Sequence, residues 1–261
     1  MNPQSKKWTD YLAMAGWIGQ LFLLAWFSLG FTGGDPSLVH RLSPQAWLLY
    51  LVWGLALWQG IPVAIPWLRK NQAFKTHYQQ FLAPELGRFY LFQVVLFLSW
   101  IYDIHLSMMV FALLNGQLLV RLVQVISLKP ILRTNPWFLK FPIGALTSSV
   151  LVLALWAFYD YCIRIGLGHY PVLAVTIAGI VLMVLAGGVF YLYVKYGNPA
   201  LVPPLLVYLV ALLCHHWPRL SFQAQDPIIF YIVLVLLVVL TSLYGRYSYL
   251  QWKQAADHKE D

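Results

Sequence analysis

Charge is what this chain has least of. Only 10% of its 261 residues are Asp, Glu, Lys or Arg, where a soluble domain carries about a quarter. That shortage excludes an ordinary water-solvated globule. Cysteine is nearly absent as well: Cys162 and Cys214 are the only two, too few for a disulfide framework or a multi-cysteine metal site. The apolar runs are continuous and do not alternate with polar residues, which argues against strands and a β-barrel. There is no P-loop, no dinucleotide fingerprint and no basic–aromatic stripe, so neither nucleotide chemistry nor a nucleic-acid partner is indicated. No internal repeat or low-complexity segment is evident.

What is present is apolar length. The chain is 61% hydrophobic with a mean hydropathy of +0.68. Apolar runs of about 20 residues, enough for a helix to cross a bilayer, recur from end to end. The expected fold is an all-α polytopic transmembrane bundle with about eight spans: 11–31, 45–67, 87–102, 106–127, 140–162, 171–194, 199–217 and 227–250. The first run is too long for a signal-peptide core and reads as an uncleaved span. The third is short, and with the fourth it reads as a hairpin with "YDIH" at its tip. The seventh begins at "NPALVPP", prolines that suit a helix start. On the sixth, Ala174, Ala178 and Ala186 form a close-packing face.

Lysine and arginine fall unevenly between the two sides of this arrangement. Thirteen lie on the side that holds both termini, and only Arg41, Arg164 and Arg219 on the other, with Arg121 inside a span. Positive charge marks the cytoplasmic side. Both termini are therefore expected in the cytoplasm, with the protein in a bacterial plasma membrane and the lipid bilayer as its first partner. The net charge of +8 follows from this asymmetry. The loop "RKNQAFKTHYQQFLAPELGR" is either solvated or holds a short interfacial helix, with Phe74, Tyr78 and Phe81 on one lipid-facing side. The tail "QWKQAADHKED" reads as a solvated end.

Tryptophan supplies the sharpest pattern. "PQAWLLYLVWGLALWQGIP" places Trp47 at the membrane interface, where indoles are common. Trp53 and Trp58 lie about 9 and 16 Å deeper along a helix axis. Below the aromatic belt, each indole N–H needs an acceptor. These rings are expected to face other helices, either as core packing or as the lining of a ligand cavity.

These residues resemble a known family. "PQAWLLYLVWGLAL" is similar to the proline–tryptophan signature that opens the second helix of the translocator-protein or tryptophan-rich sensory proteins (TspO/MBR). "YLFQVVLFLSW" resembles that family's third helix, with Tyr90, Gln93 and Trp100 in register. "LKFPIGALTSSVLVLALW" falls at its proline-led fifth helix, with Pro142 matching the proline. The resemblance implies a five-helix core over residues 1–165, followed by three additional helices over 166–261, as in longer bacterial members. It implies a hydrophobic or tetrapyrrole-like ligand, a porphyrin or haem among the cofactors, with Trp47, Trp53, Gln93, Trp100 and Pro142 at the site. This chain departs from the pattern at Phe97, along Ile143, Gly144, Ala145 and Leu146 after Pro142, and near Ala154, where the family carries pocket-forming polar and aromatic groups.

Polar side chains inside the spans are the other informative class. Gln20, Gln93 and Asn115 fall within apolar runs. Gln117, Arg121 and Gln124 share one helix face. An intramembrane arginine is costly, so Arg121 either snorkels to the nearby cytoplasmic surface or anchors an anionic group of a ligand. Thr147, Ser148 and Ser149 either line the same space or bond back to their own helix.

On the opposite face, every outer connection holds both an aspartate and a histidine. Asp103 with His105, and the pair His215–His216, are the best placed for a metal or haem iron, or for sensing pH. Solvated loops would give the same composition. Cys162 and Cys214 lie near this side, either free or bonded.

Three functions fit these observations: a non-catalytic binder, sensor or carrier of a hydrophobic small molecule; a transporter or partner subunit; and an intramembrane lipid or isoprenoid enzyme. The first rests on the deep tryptophans. The last lacks a cluster of carboxylates within the spans. A homodimer is compatible with all three.

Overall fold

A computed structural model describes residues 11, 14–22, 54–55, 57–60, 76–129, 132, 139–216 and 227–257. Among these residues the protein is helical, with no strand. Two N-terminal segments, 14–22 and 57–60, are helical. The main elements are α1 (Ala83–Ile101), α2 (His105–Leu128), α3 (Phe141–Arg164), α4 (Pro171–Tyr196), α5 (Val202–His215) and α6 (Pro227–Asp257). Among the described residues five helices are long and apolar enough to cross a membrane, and Pro199–His215 forms a shorter apolar sixth. The spans expected at 11–31 and 45–67 lie mostly outside the described residues.

Proline and glycine set the boundaries. Pro142, Pro171 and Pro199 each sit in the first two positions of a helical element, where a missing N–H costs nothing. Gly197, with φ of 59°, closes α4 in the left-handed region. Asn198 then accepts from the Ala200 N–H at 3.2 Å, and a short 3-10 turn (Pro199–Leu201) leads into α5. The "NPALVPP" stretch is a helix start, as its prolines predict.

Two boundaries differ from those expected. The third span does not begin at 87. The helix runs unbroken from at least Tyr78 to Ile101, because a π-helical turn, Tyr78–Leu82, leads straight into the helix that carries Pro84 in its first two positions. A π-turn spaces its bonds five residues apart, which accommodates the N–H that proline lacks. Tyr78 is consequently buried, so it does not belong to a lipid-facing aromatic side; Phe74 lies outside the described residues. At the other end, α6 continues to Asp257, seven residues past the expected 250. The sequence from Gln251 holds good helix formers and no breaker.

Helix α3 is the centre of the bundle. Two-thirds of its apolar window is buried, against 17% for α6. Gly144, Ala145, Ala154 and Ala157 let neighbours approach closely. Thr147 and Ser149 donate back to Ile143 and Ala145 carbonyls at 2.6 and 3.0 Å, so neither hydroxyl is left bare in an apolar interior. Ala174, Ala178 and Ala186 of α4 are buried, as expected of a close-packing face. One apolar core runs from Tyr78 to Leu240 and joins α4, α5 and α6 to α3.

Candidate functional site: an apolar groove and a charged rim

The joint between α4 and α5 is pinned to the start of α3. The Asn198 side chain donates to the Lys140 carbonyl at 2.6 Å and lies directly over Gly144, leaving no room for a Cβ there. Helix α6 is tied to the same joint by tyrosines. Tyr244 donates to the Pro199 carbonyl at 3.3 Å, Tyr247 to Val194 at 3.2 Å, and Tyr193 shares a 2.7 Å hydrogen bond with Ser248.

Beside this joint lies an open groove of about 320 Å³, at the small end of ligand-site volumes. Leu55 and Trp58 form one wall, Phe141, Pro142 and Ala145 the floor, and Pro199, Pro203 and Tyr244 the far side. Its lining is almost entirely apolar. Proline offers no N–H, and the Tyr244 hydroxyl is already spent on Pro199. Such a surface suits a flat hydrophobic molecule; it presents no nucleophile and no general acid or base beyond a committed phenol.

The expected ligand residues separate. Pro142 lines the groove, and so does Trp58, which is 37% exposed there. Trp100 does not. It is stacked on Phe97, with centroids 6.4 Å apart, and tilted against Trp156 at 6.2 Å. Trp100 packs against a buried cluster that includes Phe97 and Ala154. Gln93 is buried and accepts from Asn115 Nδ2 at 2.9 Å. Arg121 is exposed on the outward face of α2 together with Gln117 and Gln124, while Asn115, Leu119, Leu122 and Ile126 face the core. It anchors nothing in the interior and is free to snorkel. Trp47 and Trp53 lie outside the described residues.

About 27 Å from the groove along α3, by helix rise, the opposite end of that helix carries a charged cluster. The hairpin between α1 and α2 turns at Asp103, the only non-glycine residue with a positive φ (58°) among those described. His105 Nε2 lies 3.1 Å from Asp103 and its Nδ1 2.9 Å from Asp160. Arg164 reaches Asp160 at 3.2 Å and Asp103 at 3.9 Å. The two carboxylates thus approach opposite nitrogens of one imidazole and cannot converge with it on a single ion. Among the described residues no three His, Cys, Asp or Glu side chains gather as a metal site. His215 and His216 meet edge to face at 5.1 Å. His216 follows the last residue of α5, so the two rings do not diverge as neighbours within a helix would. Cys162 and Cys214 are free thiols.

Sequence reasoning paired Asp103 with His105 and Asp160 with His169, but missed that Asp160 meets His105 and Arg164. The i, i+4 spacing of Asp160 and Arg164 at a helix end was the available signal. It also missed the far wall of the groove, which comes from Pro199, Pro203 and Tyr244. No family model, no curated protein and no solved structure matches this chain.

Proposed function

We propose that this protein is an eight-span plasma-membrane protein with both termini in the cytoplasm, resembling the tryptophan-rich sensory proteins, that binds a flat hydrophobic or tetrapyrrole-like molecule without transforming it. The observation that carries the reading is the apolar groove, where Trp58 and Tyr244 face a floor and wall of Phe141, Pro142, Pro199 and Pro203. Aromatic faces and rigid proline rings favour planar ligands, and the absence of free donors in that lining favours binding over chemistry.

Protoporphyrin IX titrated into the full chain in nanodiscs is expected to quench tryptophan emission saturably. Trp58→Phe should remove a measurable part of the quenching. Ala145→Trp, which fills the floor, should weaken affinity at least tenfold. Unchanged affinity in a folded Ala145→Trp protein would remove the groove from the account.

The orientation has its own test. Cys214, exposed near the outer end of α5, should react with a membrane-impermeant maleimide on intact cells, whereas buried Cys162 should react only after denaturation. Labelling of Cys214 only in inside-out vesicles would reverse the proposed topology.

A further inference from the structure

Four carboxamides are buried in the N-terminal half of the described bundle. Gln20, Gln59, Gln93 and Asn115 are each 1% exposed or less. One hydrogen bond, Asn115 Nδ2 to Gln93 Oε1 at 2.9 Å, joins two of them. The remaining polar atoms have no partner: both amide atoms of Gln20, both of Gln59, Nε2 of Gln93 and Oδ1 of Asn115. An unbonded buried amide is costly in a protein interior and more so in hydrocarbon. Four such groups at scattered depths would be a heavy, unexplained penalty.

They are not scattered. Gly16 packs on Tyr90, and Gly19 lies where a Cβ would be 3.4 Å from Val94. The two contacts advance together, so segment 14–22 runs parallel to α1. Gln20 therefore falls level with Val94 or Val95, about 2–3 Å along the axis from Gln93. Asn115 is fixed at that level by its bond to Gln93. Trp17 lies on Gly60 and donates to the Leu57 carbonyl at 3.2 Å. Gln59 sits between those two residues, so it is at the level of Trp17, about 4.5 Å from that of Gln20. All four amides thus fall within about 6 Å of one another in height along the bundle axis, and no charged residue occurs within one turn of any of them along the sequence.

The unspent atoms also balance. Three are amide nitrogens and three are carbonyl oxygens. Turning over the Gln20 or Gln59 carboxamide leaves that balance unchanged, since each contributes one of each. A cation would face three repelling NH₂ groups, and an anion three repelling oxygens. A neutral molecule that both donates and accepts is matched to the set. We infer that Gln20, Gln59, Gln93 and Asn115 form an intramembrane site for a small neutral hydrogen-bonding molecule, either water or a urea-sized amide. This site does not depend on the apolar groove, and Ala145→Trp should leave it intact.

The test uses the full chain in nanodiscs with ¹⁵N-glutamine, each side-chain NH₂ assigned by a single Gln→Leu variant. Bound water predicts water cross-peaks at the Gln20, Gln59 and Gln93 amides. A urea-sized ligand predicts saturable shifts of the same peaks on adding formamide, reduced at least tenfold in apparent affinity by Gln59→Leu. Either result supports the site and names its occupant. Neither water contact nor saturable shift would mean that the carboxamides bond only to one another, and would overturn it. The wild-type spectra decide the matter even if a leucine variant fails to fold.

Discussion

Replacing Asp160 by alanine is expected to destabilise the folded chain by about 2–3 kcal/mol, near the lower end for removing one partner of a buried ion pair. The Asp160 side chain is buried and holds both His105, at 2.9 Å, and Arg164, at 3.2 Å. It thereby ties the tip of the α1–α2 hairpin to the end of α3. Its loss takes away the acceptors of the Arg164 guanidinium and the carboxylate that lies against His105; Arg164 can turn partly to water, which is why the effect stays below the upper limit. Asp103 touches the same two partners but its side chain is 60% exposed, so Asp103→Ala should cost under about 1 kcal/mol. Asp160→Asn keeps the shape and one acceptor and should fall between. Unfolding of the purified variants in mixed micelles gives the comparison. Equal, small effects for both aspartates would show that the cluster is a solvated rim with no structural role.

Gly144→Leu should be at least as damaging, costing about 3 kcal/mol or more, because overpacking and lost hydrogen bonds coincide there. A side chain at 144 must displace the Asn198 carboxamide, which then gives up its bonds to the Lys140 carbonyl and the Ala200 N–H. Both belong to the joint that sets the start of α5. The groove should suffer with the fold, since Pro199 and Pro203 form its far side. Asn198→Ala removes the same bonds without the collision. If the two residues act through one contact, Gly144→Ala combined with Asn198→Ala should be less harmful than the sum of the single changes. Additive effects would separate Gly144 from the joint.

Much of the helical layout is legible in the sequence because its causes are local. Apolar length gives the spans, the short polar tip at Tyr102–Ile104 gives the hairpin, and prolines 142, 171 and 199 mark helix starts. Where a local rule meets a tertiary accommodation, the reading fails. The third span is expected from 87, but the π-turn at Tyr78–Leu82 carries the helix across Pro84. The site is less legible still. The periodicity that groups Gln117, Arg121 and Gln124 on one face cannot say whether that face looks inward; packing of α2 on α1 and α3 turns it out. Depth alone likewise leaves two fates open to an indole. Trp58 reaches the groove, whereas Trp100 is taken up between Phe97 and Trp156. Contacts such as Asp160 with His105, or Tyr244 with Pro199, join residues 55 and 45 positions apart, and no spacing rule reaches that far.

The groove carries the functional reading, and a lipophilic diazirine analogue of a planar aromatic ligand examines it most directly. Photolysed with the full chain in native membranes and mapped by peptide mass, the label should concentrate on residues 55–58, 141–145 and 199–203, and excess protoporphyrin IX should displace it. Uniform labelling of the lipid-exposed faces of α4 and α6, undiminished by competitor and unchanged in Ala145→Trp, would contradict the account.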